Sequence, residues 1–314
     1  MKLKIAWVAQ CPGEAEFDVS TSCRQEGLDI TIYGTTSGYN FEKAPNVDFK
    51  LISVGDIPNI EADLTILRYP QGWAAPQGKV VCFVSEQGPT RSYAIQSAAP
   101  YNNVALNNKE DFKHYPSQKN LLYLPFGCYR LPPREFLVPK KYDIISTTCP
   151  HYTCRCEGGL KAESVKTMLF PLNNHNLAVY GMKEGACGWG GVHELAHAYK
   201  GDFLSWEYSD YLNQARLYVD CTWNWKDGGY GVKLARALAT GIPVIWQYTT
   251  GMELDGFEKG NQLDWSNSTE DTIILVDHYL SHPKEAVEMG RRGREWANEK
   301  WSWGKNIRRI YNEL

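Results

Sequence analysis

The chain has 314 residues, of which 43% are hydrophobic and 22% charged, a composition that excludes a disordered or low-complexity protein. Lys and Arg (33) nearly balance Asp and Glu (36), so the net charge of −3 indicates no overall preference for nucleic acid or an anionic membrane. At about 100–200 residues per domain, this length favours two domains.

Short apolar runs alternate with helix-length segments along the chain, which is the pattern of parallel α/β sheets. In the first half the predicted strands are Lys4–Ala9, Asp29–Tyr33, Asp63–Arg68, Lys79–Val84, Asn103–Leu106 and Leu121–Leu124. The pattern restarts after a proline-containing segment at 130–140, with predicted strands at Tyr142–Ser146, Asn176–Tyr180, Leu217–Asp220 and Pro243–Trp246. We therefore place a domain boundary near residue 140.

The two series of strands predict an α/β protein with two Rossmann-like domains that face a central cleft. The first domain spans 1–140 and the second spans 141–284, and helices over 285–314 are predicted to pack back on the first domain. In open α/β sheets, ligands bind beyond the carboxyl ends of the strands. The active site is therefore expected in the cleft.

The amino terminus does not have the pattern of an export signal. The apolar run at 3–9 is shorter than the hydrophobic region of a signal peptide, and no stretch approaches the ~20 apolar residues of a membrane span. Nine cysteines, an odd number, fit a reducing compartment better than a disulfide framework. We predict a cytoplasmic protein that does not insert into a membrane.

A glycine-rich turn at 228–231 stands immediately before a predicted helix. Glycines let the backbone approach a ligand, and the N–H groups and dipole at the start of a helix favour a phosphate or diphosphate. Lys233 and Arg236 lie three residues apart, on one face of that helix, where they can neutralise such a charge. A plain structural loop accounts for the same glycines.

Two short segments flank this helix: Gly229-Tyr230-Gly231 before it, and Ala237-Leu238-Ala239-Thr240-Gly241-Ile242-Pro243-Val244 at its end. They resemble the glycosyl transferases group 1 family of the GT-B fold. The resemblance covers about residues 142–314, and the tail, including Trp301-Ser302-Trp303, is similar to the spore-maturation-like branch. It implies a GT-B glycosyltransferase without a metal cofactor, which moves a hexosyl or pentosyl group from a nucleoside-diphosphate sugar, UDP-linked, to an acceptor hydroxyl.

The resemblance implies that the second domain binds the donor. The implied donor-binding residues are Gly229, Tyr230, Gly231, Val232, Lys233, Arg236 and Glu253. Many family members carry two glutamates that flank the turn and helix, where this chain has Gly228 and Arg236, so the contact to the donor ribose departs from the family pattern. In these enzymes a loop after the first strand of this domain stabilises the departing diphosphate, which implies that role for Arg155 and Lys161; solvated charge is the alternative.

The first domain is expected to bind the acceptor. Gly13 and Glu14 follow the first strand and are expected at the cleft, with a simple turn as the alternative. Glu86 follows a later strand, where a carboxylate can act as general base on an acceptor hydroxyl or cap the next helix. Basic clusters at 109–141 and in the last helices leave DNA open as an acceptor beside a small molecule or glycan, although such clusters also form solvated faces.

Two other classes of function are open. His193-Glu194-Leu195-Ala196-His197 has the spacing of a zinc metallopeptidase motif, in which two histidines one helical turn apart bind zinc and the glutamate activates water. A surface or cleft helix with incidental histidines is the alternative. The second class is a non-catalytic protein that binds a nucleotide or nucleic acid, which Arg236 in place of glutamate allows.

A cluster of zinc-ligand residue types follows the strand that ends at Ser146. It consists of Cys149, His151, Cys154 and Cys156. Zinc accepts such sulfur and nitrogen ligands in tetrahedral geometry, but the spacing here matches no common structural zinc pattern. No metal is therefore assigned to the chain.

Overall fold

A computed structural model describes residues 2–36, 46–85, 91–116, 119–132, 139–148, 160–181, 189, 192, 194–202, 207–222, 226 and 228–314. The chain divides into two compact units. The first unit comprises residues 1–130 and 298–314, and the second comprises 131–297. The division at 130/131 falls at the start of the proline-containing segment at 130–140.

Both units combine parallel strands with α-helices, as in an α/β protein. The strands are β1 (Lys4–Ala9), β2 (Asp29–Gly34), β3 (Phe49–Leu51), β4 (Leu64–Arg68), β5 (Lys79–Val84), β6 (Asn103–Leu106), β7 (Asn120–Tyr123), β8 (Tyr142–Ser146), β9 (Leu177–Tyr180), β10 (Tyr199–Gly201), β11 (Ala215–Asp220), β12 (Val244–Gln247) and β13 (Asp264–Ser266). The helices are α1 (Glu14–Gln25), α2 (Arg91–Ala98), α3 (Leu160–Met168), α4 (Tyr208–Leu212), α5 (Val232–Thr240), α6 (Thr269–Ser281), α7 (Pro283–Lys300) and α8 (Trp303–Glu313). No helix among the described residues is long and apolar enough to cross a membrane.

The sheet of the first unit is parallel throughout, with strand order β3-β2-β1-β4-β5-β6-β7. Its central strand β1 is buried from Ile5 to Ala9, as expected for a strand that helices cover on both faces. The strand order reverses between β1 and β4, which makes this the topological switch point of the sheet. Ligands of open α/β sheets bind beyond the carboxyl ends of the strands at such a point.

Helix α8 completes the core of the first unit. The Trp303 ring meets the rings of Trp7 and Phe83 edge-on, with centroid distances of 5.5 and 5.8 Å. A Cβ placed on Gly304 would lie 2.7 Å from the Ser22 carbonyl oxygen, so α8 can contact α1 this closely only because residue 304 is glycine. The last residues of the chain are therefore an integral part of the first unit.

The sheet of the second unit is also parallel, with strand order β10-β9-β8-β11-β12-β13. Counted within the unit, this is the Rossmann order 3-2-1-4-5-6, with its switch point between β8 and β11. Apolar residues of the strands, including Ile144, Val219 and Ile245, form one buried cluster with residues of α3, α6 and α7. The cluster fixes the strand ends on which the candidate site is built.

Helix α7 crosses the end of α5 at a very short distance. Gly241 ends α5 in the left-handed region, at φ 79°, which favours glycine. A Cβ on Gly290 of α7 would lie 2.2 Å from the Gly241 carbonyl oxygen, and a Cβ on Gly293 would lie 2.4 Å from that of Gln262. Both α7 positions therefore require glycine for the helix to pack against the unit.

Candidate functional site

A buried carboxylate marks the switch point of the second sheet. Asp220 ends β11, and its Oδ2 accepts hydrogen bonds from Tyr218 OH at 2.5 Å and from the Thr147 N–H and hydroxyl at 3.4 Å each. Its Oδ1 accepts from the Cys221 N–H at 2.7 Å. A buried carboxylate needs such donors, because desolvation without them would disfavour the charged form. Asp220 thus fixes the backbone that follows β8 to the end of β11.

Three hydroxyl groups extend this arrangement. Thr147 Oγ1 lies 2.8 Å from Tyr218 OH and 3.0 Å from Tyr208 OH, and Tyr208 OH donates to Tyr218 OH at 2.8 Å. Burial, followed by the charge of Asp220, raises the pKa of both tyrosines, so their phenols stay protonated and can donate. We call Thr147, Tyr208, Tyr218 and Asp220 the switch-point network.

Lys233 contacts this network through the protein backbone. It is the second residue of α5, and its Nζ donates to the Thr147 carbonyl oxygen at 2.5 Å. The first turn of α5, described in full, carries no acidic side chain that would neutralise the positive end of the helix dipole. The ammonium group and the helix terminus therefore create a positive region at the carboxyl edge of the sheet, where an anion can bind.

The glycine-rich turn before α5 is held from two sides. The Gly229 carbonyl oxygen accepts from Thr222 Oγ1 at 3.0 Å, and the buried Tyr230 donates its hydroxyl proton to Asp255. Gly231 is the N-cap, and no described atom lies within 4 Å of a Cβ placed on it. Tyr230 therefore anchors the turn inside the protein, while its open side lies at Gly231, next to Val232 and the start of α5.

Arg236 lies inside the protein although it is only three residues from Lys233. Its side chain is 2% exposed, and the guanidinium carbon lies 5.6 Å from the centroid of the Tyr208 ring. The positive charge opposes the rise in the pKa of Tyr208. Arg236 thus lies against the switch-point network, whereas Lys233 lies at the half-exposed start of α5.

Glu253 lies in the turns that follow β12. It is exposed, and its carboxylate accepts from Tyr248 OH at 3.3 Å. Burial and the Glu253 charge raise the pKa of Tyr248. Two residues further on, Asp255 accepts a hydrogen bond from the hydroxyl of Tyr230. This bond connects the segment after β12 to the glycine-rich turn.

Several residues singled out in the sequence lie outside the described residues. They are Glu86, Arg155, His193, and the four possible zinc ligands Cys149, His151, Cys154 and Cys156. Lys161 is the second residue of α3, but its side chain also lies outside the description. The catalytic roles of Glu86, Arg155 and Lys161 stay predictions.

The metallopeptidase hypothesis needs a helix at residues 193–197, and the described part of this segment is not helical. Residues 194–198 form turns in which the Ala198 N–H donates to the Leu195 carbonyl oxygen at 3.0 Å, and β10 begins at Tyr199. The expectation of a helix is wrong for the described residues 194–198, because the Ala198 bond spans three residues, as in a turn, and not four, as in an α-helix. Within the described ranges, no group of three or more His, Cys, Asp or Glu residues could hold a metal.

At the carboxyl edge of the first sheet, Gly13 is the N-cap of α1 and its N–H donates to Glu16 Oε2 at 2.8 Å. The other oxygen of this buried carboxylate accepts from Trp7 Nε1 at 3.1 Å and from Arg68 at 2.7 Å. Glu14 is the first residue of α1, and its side chain lies outside the description. The Gly13 N–H is therefore engaged by the protein itself.

Glu16, Thr147 and Asp220 are not among the site residues predicted from the sequence. The signal for Glu16 is a glycine followed three residues later by glutamate at a helix start, the spacing of a capping box. Thr147 and Asp220 are polar residues that end or follow a buried strand, where side chains of different strands meet at one edge. A search for such strand-end polar residues would have found them.

Each of the two parallel sheets has a Rossmann-type strand order, and solved structures show which fold this arrangement belongs to. The chain is similar in fold to Anabaena HepE in complex with UDP-glucose, with a TM-score of 0.66 and 10% sequence identity over 99% of both chains. A glycosyltransferase from Rickettsia africae is similar over 99% of this chain and 98% of that one, with a TM-score of 0.63 and 11% identity. Sucrose-phosphate synthase from Thermosynechococcus elongatus is similar over 100% and 99%, with a TM-score of 0.62 and 13% identity. The predicted GT-B fold is confirmed.

A family model matches residues 163–312, just under half of the chain. It is the model of the Glycosyl transferase-like family, and the match supports the predicted relationship to group 1 glycosyl transferases. No curated protein sequence matches the chain. The assignment to the spore-maturation-like branch stays a prediction.

Proposed function

We propose that this protein transfers a sugar from a nucleoside-diphosphate sugar, UDP-linked, to an acceptor hydroxyl group. The observation that carries the proposal is the hydrogen bond from Lys233 Nζ to the Thr147 carbonyl oxygen. It holds a cation beside the start of α5 and at the switch point of the second sheet, where ligands of such sheets bind. The similar fold of HepE, whose solved structure contains UDP-glucose, supports the same assignment.

In the proposed reaction the acceptor oxygen forms a bond to the anomeric carbon of the sugar. The bond between that carbon and the β-phosphate oxygen breaks, and its electron pair stays on the nucleoside diphosphate. The hydroxyl proton passes to a base, for which Glu86 is the sequence-based candidate. The main electrostatic demand is thus the charge that develops on the leaving diphosphate.

We assign the stabilisation of this charge to the chain's own groups. Lys233 and the N–H groups at the start of α5 would bind the diphosphate, with Arg155 and Lys161 as further predicted contacts. Gly231 would let the phosphates approach the helix, since no described atom occupies the space beside it. Because these groups supply positive charge where it is needed, the proposal includes no metal ion.

Thermal stabilisation by donors tests the proposal. UDP-, GDP-, ADP- and dTDP-sugars are screened, since a ligand that binds the native state raises Tm by mass action. We expect a UDP-sugar to raise Tm most, and Lys233→Ala to weaken its binding at least about tenfold through loss of a charge-assisted contact. Lys284→Ala, at an exposed position of α7, is the matched control and should bind the donor as the wild type does.

Turnover separates the enzyme from a protein that only binds nucleotides. Release of UDP from the stabilising donor is measured with and without candidate acceptors. If no nucleotide-sugar raises Tm, the proposed function is wrong. Donor binding without any release of UDP would favour the non-catalytic alternative, and unchanged donor binding in Lys233→Ala would refute the role given to that residue.

A further inference from the structure

The carboxyl edge of the first sheet carries a surface of tyrosine and glutamine side chains. The rings of Tyr69 and Tyr93 are stacked, with centroids 6.1 Å apart and planes 28° apart, and Tyr93 is 42% exposed. Gln71 Nε2 donates to Tyr93 OH at 2.8 Å and to Gln10 Oε1 at 2.9 Å. We call Gln10, Tyr69, Gln71 and Tyr93 the tyrosine platform.

The fold brings these four residues together from three strands. Gln10 follows β1, Tyr69 and Gln71 follow β4, and Tyr93 lies in α2, the first helix described after β5. Tyr69 has a positive φ of 49°, a strained conformation for a bulky residue, and its N–H donates to the Phe83 carbonyl oxygen at 3.1 Å. This backbone turn places the Tyr69 ring against Tyr93 at the edge where ligands of such sheets bind.

Two polar atoms of the tyrosine platform have no hydrogen-bond partner among the described residues. Gln71 uses its amide nitrogen twice, while its Oε1 and Gln10 Nε2 have no hydrogen-bond partner among the described residues. The paired amides of Gln71 and Gln10 therefore offer this acceptor and this donor to a ligand, and Gln71 is itself bonded to the exposed Tyr93. Neighbouring hydroxyl groups of a sugar can both accept and donate, and the C–H face of a pyranose can pack on a tyrosine ring.

The charges around the platform do not favour a polyanion. Arg68 is paired with the buried Glu16 at 2.7 Å, and Arg91 contacts the buried Asp111 at 3.4 Å. A nucleic acid binds mainly by phosphate neutralisation, for which cations compensated by the protein's own acids are poorly suited. The described edge is thus suited to an uncharged, hydroxyl-rich ligand.

We propose that the tyrosine platform binds a saccharide unit of the acceptor, with a sugar ring stacked on Tyr93 and its hydroxyl groups bonded to Gln10 and Gln71. The inference rests on the proposed function, because it identifies the chemical class of the acceptor in the same reaction. The basic clusters in the sequence also allow DNA as the acceptor. The proposed platform favours a glycan instead.

Saturation-transfer NMR on the full chain tests the platform directly. The probes are methyl glycosides of glucose, galactose, mannose and N-acetylglucosamine at millimolar concentration, and a short single-stranded DNA as the polyanion. We expect saturation transfer to at least one glycoside in the wild type, and about tenfold weaker binding of that glycoside to Tyr93→Ala. Tyr93→Phe keeps the ring and should retain most of the affinity.

Tyr311→Ala is the matched control, because it removes a partly exposed tyrosine from the same unit at another place. Tyr311 lies on α8, with Lys79 Nζ 4.0 Å from its ring centroid, at the amino end of β5. This variant should bind the glycoside as the wild type does. Gln71→Leu provides a second, independent loss at the platform and should also weaken binding.

The outcomes separate the platform from the proposed function. If no glycoside binds the wild type, if Tyr93→Ala binds it unchanged, or if only the DNA binds, the platform proposal is overturned. Donor-induced stabilisation is measured in parallel and depends on the second unit. Suppose that no donor raises Tm, but that a glycoside binds and its binding depends on Tyr93. That result would refute the proposed transfer reaction and would still support the saccharide site.

Discussion

The phenol of Tyr218 donates a hydrogen bond of 2.5 Å to the carboxylate of Asp220, and both side chains are fully buried. The same carboxylate accepts from Thr147, whose carbonyl oxygen is the acceptor for Lys233. A change at this pair should therefore reach the proposed donor site at Lys233 through the backbone of Thr147, without direct contact with a ligand. Asp220 is in this sense a positioning residue.

Asp220→Asn should lower the kcat for donor turnover by about tenfold or more while destabilising the second unit by about 1–3 kcal/mol, because an amide cannot accept all the hydrogen bonds that the carboxylate accepts. The check is kcat and KM measured well below the Tm of the variant. Asp143→Asn, which removes a half-exposed partner of Arg216, is the control and should change stability by less than about 1 kcal/mol. A loss of stability with unchanged kcat would show a structural role only.

Gly231→Ala should weaken donor binding much more than it weakens the fold. No described atom lies within 4 Å of the added Cβ, and the φ of −76° suits alanine, so the stability cost should stay within about 1 kcal/mol. The methyl group would occupy the space through which, in the proposed complex, a phosphate approaches α5. Donor Kd and Tm in the absence of ligand are the two measurements. Unchanged donor affinity would mean that the diphosphate does not bind beside Gly231.

Alkaline pH should destabilise the second unit through its buried tyrosines. Burial and Asp220 raise the pKa of Tyr218 well above the value of 10 for a free phenol. Its contribution to stability is therefore fully present below pH 10 and is lost as pH rises towards the folded-state pKa, at up to about 1.4 kcal/mol per pH unit. Tyr218→Phe should be less stable at pH 7 but should lose stability less steeply above pH 10.

Thermal unfolding between pH 8 and 12 measures that slope. Tyr311→Phe, which removes a phenol from α8 in the other unit, is the control for a general loss of one hydroxyl. Equal slopes in Tyr218→Phe and the wild type would contradict the prediction.

Gly290→Ala should strongly destabilise the second unit. The added Cβ would lie 2.2 Å from the Gly241 carbonyl oxygen, so α7 must move away from the end of α5 at a cost of about 1–3 kcal/mol or more. Chemical denaturation gives the difference in unfolding free energy. Glu295→Ala, at an exposed position of the same helix, should stay within about 0.5 kcal/mol of the wild type. A neutral Gly290→Ala would mean that the crossing is not this close.

Removal of divalent metals should leave sugar transfer intact, because Lys233 and the N–H groups of α5 are assigned the charge of the leaving diphosphate. The measurement is UDP release before and after treatment with EDTA, and again after addition of Mg²⁺ or Mn²⁺. Activity that disappears with EDTA and returns with a metal would refute this part of the proposal.

The strands of both sheets could largely be predicted, because buried strands such as Lys4–Ala9, Lys79–Val84 and Tyr142–Ser146 are short apolar runs with clear ends. The missed strands β3, β10 and β13 have three residues each and lie at sheet edges. They form because a neighbouring strand offers free backbone groups, and this tertiary influence leaves little pattern in so short a sequence.

The site was predictable only in part. The glycine-rich turn and Lys233 could be located, since glycines before a helix are a local signal. The burial of Arg236 could not, because helical spacing places it beside Lys233, whereas its contact with the Tyr208 ring depends on how α4 and α5 pack. The switch-point network joins residues from 147 to 220, and such contacts appear only once the strands are in place.

The position of Trp303 has a consequence for the order in which the protein can form during translation. The aromatic core around Trp7 and Phe83 lacks this indole until the ribosome has synthesised the stretch after residue 297, by which time all of 131–297 has been made. The second unit is one continuous segment and can therefore reach its native state first. Until α8 is available, residues 1–130 of the first unit keep part of their apolar interior exposed. A chaperone that acts on this nascent chain would meet the first half of the sequence for longer than the second.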